Sequence, residues 1–199
     1  MELGMLAPKL PKALEAYLEE EAVFVGLSMG GYLIFELWRR APERFLGLVL
    51  ADTRAGADTE EGRKNRYALR ERVLAEGVGF LPEALLPNHL GKTTQEEKPE
   101  VVARAKALIL EASPEAVAGS LLALAERPDS TPLLPGMRRP ALVLVGEEDT
   151  LTPPEEAKRM ARALPDARLL ILPEAGHLAN LENPKAFRTA LLGVLAEVL

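Results

Sequence analysis

The sequence contains no cysteine, which excludes disulfides, thiol catalysis and cysteine-ligated zinc or iron–sulfur centres. Two histidines leave little for a histidine-rich metal cluster, and no metal or cofactor is expected. Asn and Gln together number only five in 199 residues. With 16 prolines, that composition suits a heat-adapted, thermophile-like source, although a GC-rich genome writing Leu, Ala, Arg and Glu produces the same bias. Excess positive charge is lacking as well. The chain has 24 basic against 30 acidic side chains and a formal net charge of −6, which speaks against a nucleic-acid-binding face. The longest uncharged run, Ala22 to Phe35, is 14 residues and includes four Gly or Ser, short of the ~18 that read as a membrane span. Residues 1–20 lack a basic start followed by an apolar stretch. These absences lead us to expect a cytoplasmic protein without a membrane or nucleic-acid partner.

What is present reads as a globular chain, 48% hydrophobic and 27% charged. Its length, at roughly 150 residues per domain, predicts one domain with at most a small appendage. A chain of this size buries about 70% of its unfolded surface, so no staple is needed. Leu10, Leu14, Tyr17 and Leu18 recur at helical spacing. Short runs rich in strand formers follow at 22–27, 45–51, 141–145 and 168–172, with the first expected to be buried on both faces. Helical stretches at 29–41, 154–164 and 184–198 alternate with them. Strand, helix, strand in this order predicts parallel βαβ units. Residues 54–138 break the pattern. No strand is evident there, and polar helices at about 60–76, 97–112 and 114–126 are punctuated by Pro82, Pro87, Pro114 and Pro128. The expected architecture is a parallel sheet of about four strands with flanking helices, interrupted by a helical insertion too long for a plain loop.

The chemistry concentrates at three strand ends. Gly26-Leu27-Ser28-Met29-Gly30 fits Gly-x-Ser-x-Gly between a strand and a helix. Such a turn forces its serine into a strained conformation, needs small neighbours, and lifts the hydroxyl above the sheet. It also sets the backbone N–H of Met29 at a helix N-terminus, where it can stabilise an oxyanion. No Lys-Ser/Thr follows and the spacing is not Gly-x-Gly-x-x-Gly, so the turn lacks the phosphate-loop fingerprints. A serine needs an adjacent base, and the base needs an orienting carboxylate. Asp149 follows the third strand and His177 the fourth, giving the chain order Ser, Asp, His. Asp149 is also a candidate N-cap ahead of Pro153. Asp52, ending the second strand, is the rival acid. His89, in the insertion, reads as a loop or cap residue.

At these residues the sequence resembles the α/β-hydrolase superfamily. Val23–Gly31, Ala41–Phe45, Leu50–Thr53, Val143–Asp149 and Ala175–Pro184 carry the match, the last of these and Leu50-Ala-Asp-Thr53 looking most like esterases and the enol-lactone hydrolases of aromatic degradation. The resemblance implies Ser28 as nucleophile, His177 as base, Asp149 as its orienter, and a small-molecule ester or lactone as substrate. It divides the chain into a core, residues 1–53 and 139–199, and a helical cap, residues 54–138, that reads as apolar and forms the substrate pocket. Members of the superfamily open with further strands, and a loop among them supplies the second oxyanion donor. Residues 1–21 carry no match to that part, so the expectation is an incomplete α/β-hydrolase fold with impaired activity. The edge of Val23–Leu27 would then be covered by a missing N-terminal segment, by a second copy of the chain in a homo-oligomer, or by the N-terminal helix. The other function class is a non-catalytic ligand-binding or dimerising module on the same fold.

Overall fold

The computed structural model describes residues 21–198, so the helix expected around Leu10–Leu18 lies outside the described residues. Four strands, β1 (Ala22–Leu27), β2 (Phe45–Ala51), β3 (Ala141–Gly146) and β4 (Ala167–Leu172), form one sheet in the order 1-2-3-4. Every neighbouring pair is parallel. The register places Leu27 opposite Ala51, Ala51 opposite Leu144, and Gly146 opposite Leu172. All four carboxyl ends therefore meet along one edge, where open parallel sheets place their ligands.

Helix α1 (Met29–Arg40) connects β1 to β2, α7 (Pro154–Ala163) connects β3 to β4, the short α8 (Ala179–Glu182) follows β4, and α9 (Pro184–Val198) closes the described chain. Period-2 alternation sorts the strand residues onto two faces. Leu48, Leu50, Val143 and Val145 pack with Ile34 and Phe35 of α1 and Met160 of α7. Val49, Ala51, Leu142 and Leu144 pack with Phe187 and Val194 of α9. Phe45 anchors the first face, its ring centroid 4.2 Å from Phe24 and 4.9 Å from Trp38. The result is a helix–sheet–helix sandwich on a parallel sheet.

β1 departs from the expectation of burial on both faces: Val25 is 50% exposed. Val23 and Leu27 on the same face pack at the margin of the α9 cluster, but α9 lies over β2 and β4, and Val25 is left open among the described residues. β1 is hydrogen-bonded on one side only among the described residues.

Between β2 and β3 the chain forms five helices, α2 (Glu60–Glu76), α3 (Leu81–His89), α4 (Lys92–Glu97), α5 (Pro99–Leu110) and α6 (Pro114–Glu126), and a 3₁₀ turn at Thr131–Gly136. Thr59 and Ser113 cap α2 and α6 by accepting the N–H groups of Gly62 and Ala116, both at 3.1 Å. Helices α3 and α4 were not expected. Pro82 and Pro87 read as breaks in the sequence, yet both lie within α3. Pro82 sits in the first turn, where its missing N–H costs nothing. This segment has a small core of its own, with Val73, Leu81 and Leu121 buried among Leu69, Phe80, Leu85 and Ile109. Helix α2 is strongly charged, with sequence EEGRKNRYALRERVLAE, in keeping with the polar reading of 60–76 and unlike the apolar cap that the resemblance implies. No single helix among the described residues is long and apolar enough to cross a membrane.

Candidate active site

Ser28 caps the step from β1 into α1 with φ 50° and ψ −110°, a conformation that costs a non-glycine residue of order 1–3 kcal/mol. The surroundings hold it there. Its N–H donates to Ala51 O at 2.8 Å, and Thr53 Oγ1 donates to its carbonyl at 2.8 Å. Gly26 lies so close to the backbone of Gly30 and Gly31 that a Cβ would collide with it. Met29 is the first residue of α1, so its N–H has no acceptor within the helix and lies beside the Ser28 hydroxyl.

His177 reaches this hydroxyl from the loop after β4. Its Nε2 is 2.8 Å from Ser28 Oγ, and its Nδ1 is 2.9 Å from Asp149 Oδ2. Asp149 accepts on every side, from the N–H groups of Leu151 at 2.9 Å and Thr152 at 3.0 Å on Oδ1, and from Thr152 Oγ1 at 2.7 Å on Oδ2. Burial alone would raise its pKa, but the His177 ring and the Thr152 donors outweigh that and hold it below the ordinary carboxylate range. With Asp149 accepting at Nδ1–H, Nε2 is the unprotonated nitrogen facing the Ser28 hydroxyl. The three residues singled out in the sequence, 149 positions apart at the extremes, thus form one hydrogen-bonded line. Asp149 is not the N-cap of α7. That position is Pro153, and Asp149 instead closes the turn one step earlier.

Thr152 carries little signature in the sequence. It donates to Asp149 while its hydroxyl lies 3.3 Å from His177 Nδ1, and the only signal was an Asp-Thr-Leu-Thr turn common to many loops.

Asp52 does not serve His177. Its Oδ1 accepts the N–H of Gly146 at 2.8 Å, bolting β2 to the turn that carries Asp149. Its Oδ2 is buried with no partner among the described residues. Burial, with smaller contributions from nearby Asp149 and Glu182 against the opposing Gly146 N–H, pushes its pKa up to about 8.

His89 is more than a loop residue. It ends α3, with Nδ1 2.8 Å from Leu85 O, and its ring meets that of His177 edge-on with centroids 5.5 Å apart. Burial lowers its pKa, so it is neutral.

Two carboxylates fasten the inserted helices to the loops that carry these groups. Glu182 accepts Leu178 N–H at 3.0 Å and Gly91 N–H at 2.7 Å, joining the His177 loop to the entry of α4. Glu148, beside Asp149, accepts the N–H of Thr93 at 2.9 Å and its hydroxyl at 2.5 Å. Gly176 packs directly on the Gly91 backbone, where a Cβ would clash. Among the described residues, no group of three or more His, Asp or Glu side chains is placed to hold a metal ion.

The family described as alpha/beta hydrolase fold matches residues 5–184. A thermophilic esterase from Thermogutta terrifontis, solved with malate bound, is 41% identical with a TM-score of 0.93, covering 100% of this chain and 73% of its own. An enol-lactonase from Burkholderia xenovorans LB400 is 27% identical with a TM-score of 0.85, covering 98% of this chain and 74% of its own. Among curated proteins, 3-oxoadipate enol-lactonase 2 of Acinetobacter baylyi is 29% identical over 175 residues, 88% of this chain. The present chain spans 64% of that protein's length.

Proposed function

The chain belongs to the alpha/beta hydrolase fold family, and within that family we propose that it is a serine hydrolase cleaving a small carboxylic ester or lactone through an acyl-enzyme on Ser28. The observation that carries this reading is the unbroken line from Asp149 through His177 to the Ser28 hydroxyl, at 2.9 and 2.8 Å. The similarity to an esterase and to enol-lactonases supports the same chemistry.

Ser28 Oγ attacks the carbonyl carbon while His177 Nε2 takes the hydroxyl proton. Asp149 holds the ring in the required tautomer and stabilises the imidazolium. The carbonyl oxygen gains negative charge facing the Met29 N–H at the start of α1. Collapse breaks the bond to the alkoxy oxygen, which leaves with the proton from His177. With a lactone the leaving hydroxyl stays tethered to the acyl group. Water then gives a proton to His177 and attacks the acyl-enzyme, and the returned proton restores Ser28. The helices between β2 and β3, fastened to the His177 and Asp149 loops by Glu182 and Glu148, act as the cap over the substrate.

Turnover of p-nitrophenyl butyrate tests this. Ser28→Ala and His177→Ala are each expected to lower kcat by about 10⁴-fold or more, toward the residual set by binding and oxyanion stabilisation alone. Wild-type rates retained in either variant would defeat the proposal.

A further inference from the structure

Asp58, in the loop between β2 and α2, has a side chain only 1% exposed, and three guanidinium groups converge on it, from Arg54, Arg66 and Arg127. Burial would raise the pKa of Asp58, but Arg66 and Arg127 hold it below its ordinary range, so it is ionised and neutralises one of three positive charges. Arg127 is built into the fold. It donates to Leu124 O and Gly56 O, both at 2.9 Å, and is 5% exposed. Arg54 and Arg66 are 29% and 27% exposed. The Nε of Arg54 is buried with no acceptor among the described residues. Cationic donors left over in a partly desolvated cluster are costly unless an anion meets them.

Intervening residues link the cluster to the reacting centre on two sides. Arg127 lies 4.3 Å above the ring of Tyr32, one helical turn beyond Ser28 in α1. Arg54 follows Thr53, whose hydroxyl holds the Ser28 carbonyl. On the other side Arg66 is near enough to His89 for its charge to add a small lowering of that ring's pKa, behind burial and the charge of His177. His89 in turn abuts His177. A molecule of net charge −6 therefore carries a local positive excess joined through Tyr32 and Thr53 to the turn that holds Ser28.

We propose that Arg66 and Arg54 form an anion subsite beside Ser28, and that the preferred substrate is an ester or lactone bearing a carboxylate remote from the bond that is cleaved. This rests on the reading of Ser28 as nucleophile. The planar guanidinium fork matches a carboxylate bidentately, and a carboxylate on the acyl or alcohol portion would complete the charge balance that Asp58 leaves unfinished.

The test compares kcat/KM of the full chain for mono-p-nitrophenyl glutarate and for its methyl-capped, neutral diester. Wild type is expected to favour the carboxylate form by about 10–100-fold, the range of charge-assisted hydrogen bonds, with a preference that shrinks as salt rises. Arg66→Gln is expected to cut that ratio about 10-fold and Arg66→Lys to restore part of it. A merely structural arginine would lower both rates and leave the ratio unmoved. A wild-type ratio of one or less overturns the proposal, as does a ratio unchanged in both Arg66→Gln and Arg54→Gln. If the substituted proteins fail to fold, the wild-type ratio and its salt dependence decide alone. If wild type cleaves neither ester, the nucleophile reading fails, and calorimetry with glutarate then decides the subsite separately. Saturable binding weakened by salt supports it, and no binding overturns it.

Discussion

Single side chains around Ser28 do two distinct jobs. Asp149 and Thr152 fix the imidazole of His177, whereas Asp52, on the neighbouring strand end, ties the backbone of Gly146. Environment separates these two buried aspartates: the first is held ionised by donors, the second kept protonated by burial. Asp52 therefore makes stability depend on pH. Well below pH 3.8 it is protonated in folded and unfolded chains alike. As pH rises toward about 8, the unfolded chain ionises and the folded one does not, so stability falls across that window and levels off above it. Asp52→Asn keeps an acceptor for Gly146 N–H and removes this dependence. Its melting temperature is expected to gain on wild type steadily from pH 4 to pH 8. A difference that stays flat over that range would contradict the protonated assignment.

At the level of elements, the site depends on how the inserted helices are fastened to the sheet's carboxyl edge. Glu182 is the shared acceptor between the His177 loop and the start of α4. Glu182→Gln places an amide donor against one of two N–H donors. We expect a loss of about 1–3 kcal/mol in urea denaturation, with a lower kcat for ester hydrolysis because the His177 loop loosens. Unchanged stability together with unchanged kcat would show that the clamp is dispensable.

Only some of these elements announce themselves in the sequence. Strands β1 to β4 and helices α1, α7 and α9 are readable because apolar runs bounded by Gly and Pro report local geometry directly. Ser28, Asp149 and His177 are readable as candidates because each sits just beyond a strand end. Helices α3 and α4 are not, since Pro82 and Pro87 look like breaks until the first-turn placement of Pro82 and the packing of Leu81 and Leu85 are known. Nor are His89 beside His177, the Asp58 cluster or the Glu182 clamp, all of which join residues through tertiary contacts that carry no local signature. Val25 misleads for the opposite reason: its β-type neighbours look buried, and only the placement of α9 leaves it open.

For the whole molecule, a parallel sheet with helices on both faces brings residues from opposite ends of the chain to one edge. The inserted helices, with a small core of their own, lie against that edge. Hydrolysis by this route requires Ser28 to be an activated nucleophile rather than a strained turn residue. The most direct measurement is mass spectrometry of the intact chain after incubation with a fluorophosphonate, followed by peptide mapping. One adduct per chain on Ser28 is expected, absent from Ser28→Ala and slowed at least a hundredfold in His177→Ala. An unlabelled wild-type protein, or an adduct that persists in Ser28→Ala, would contradict it.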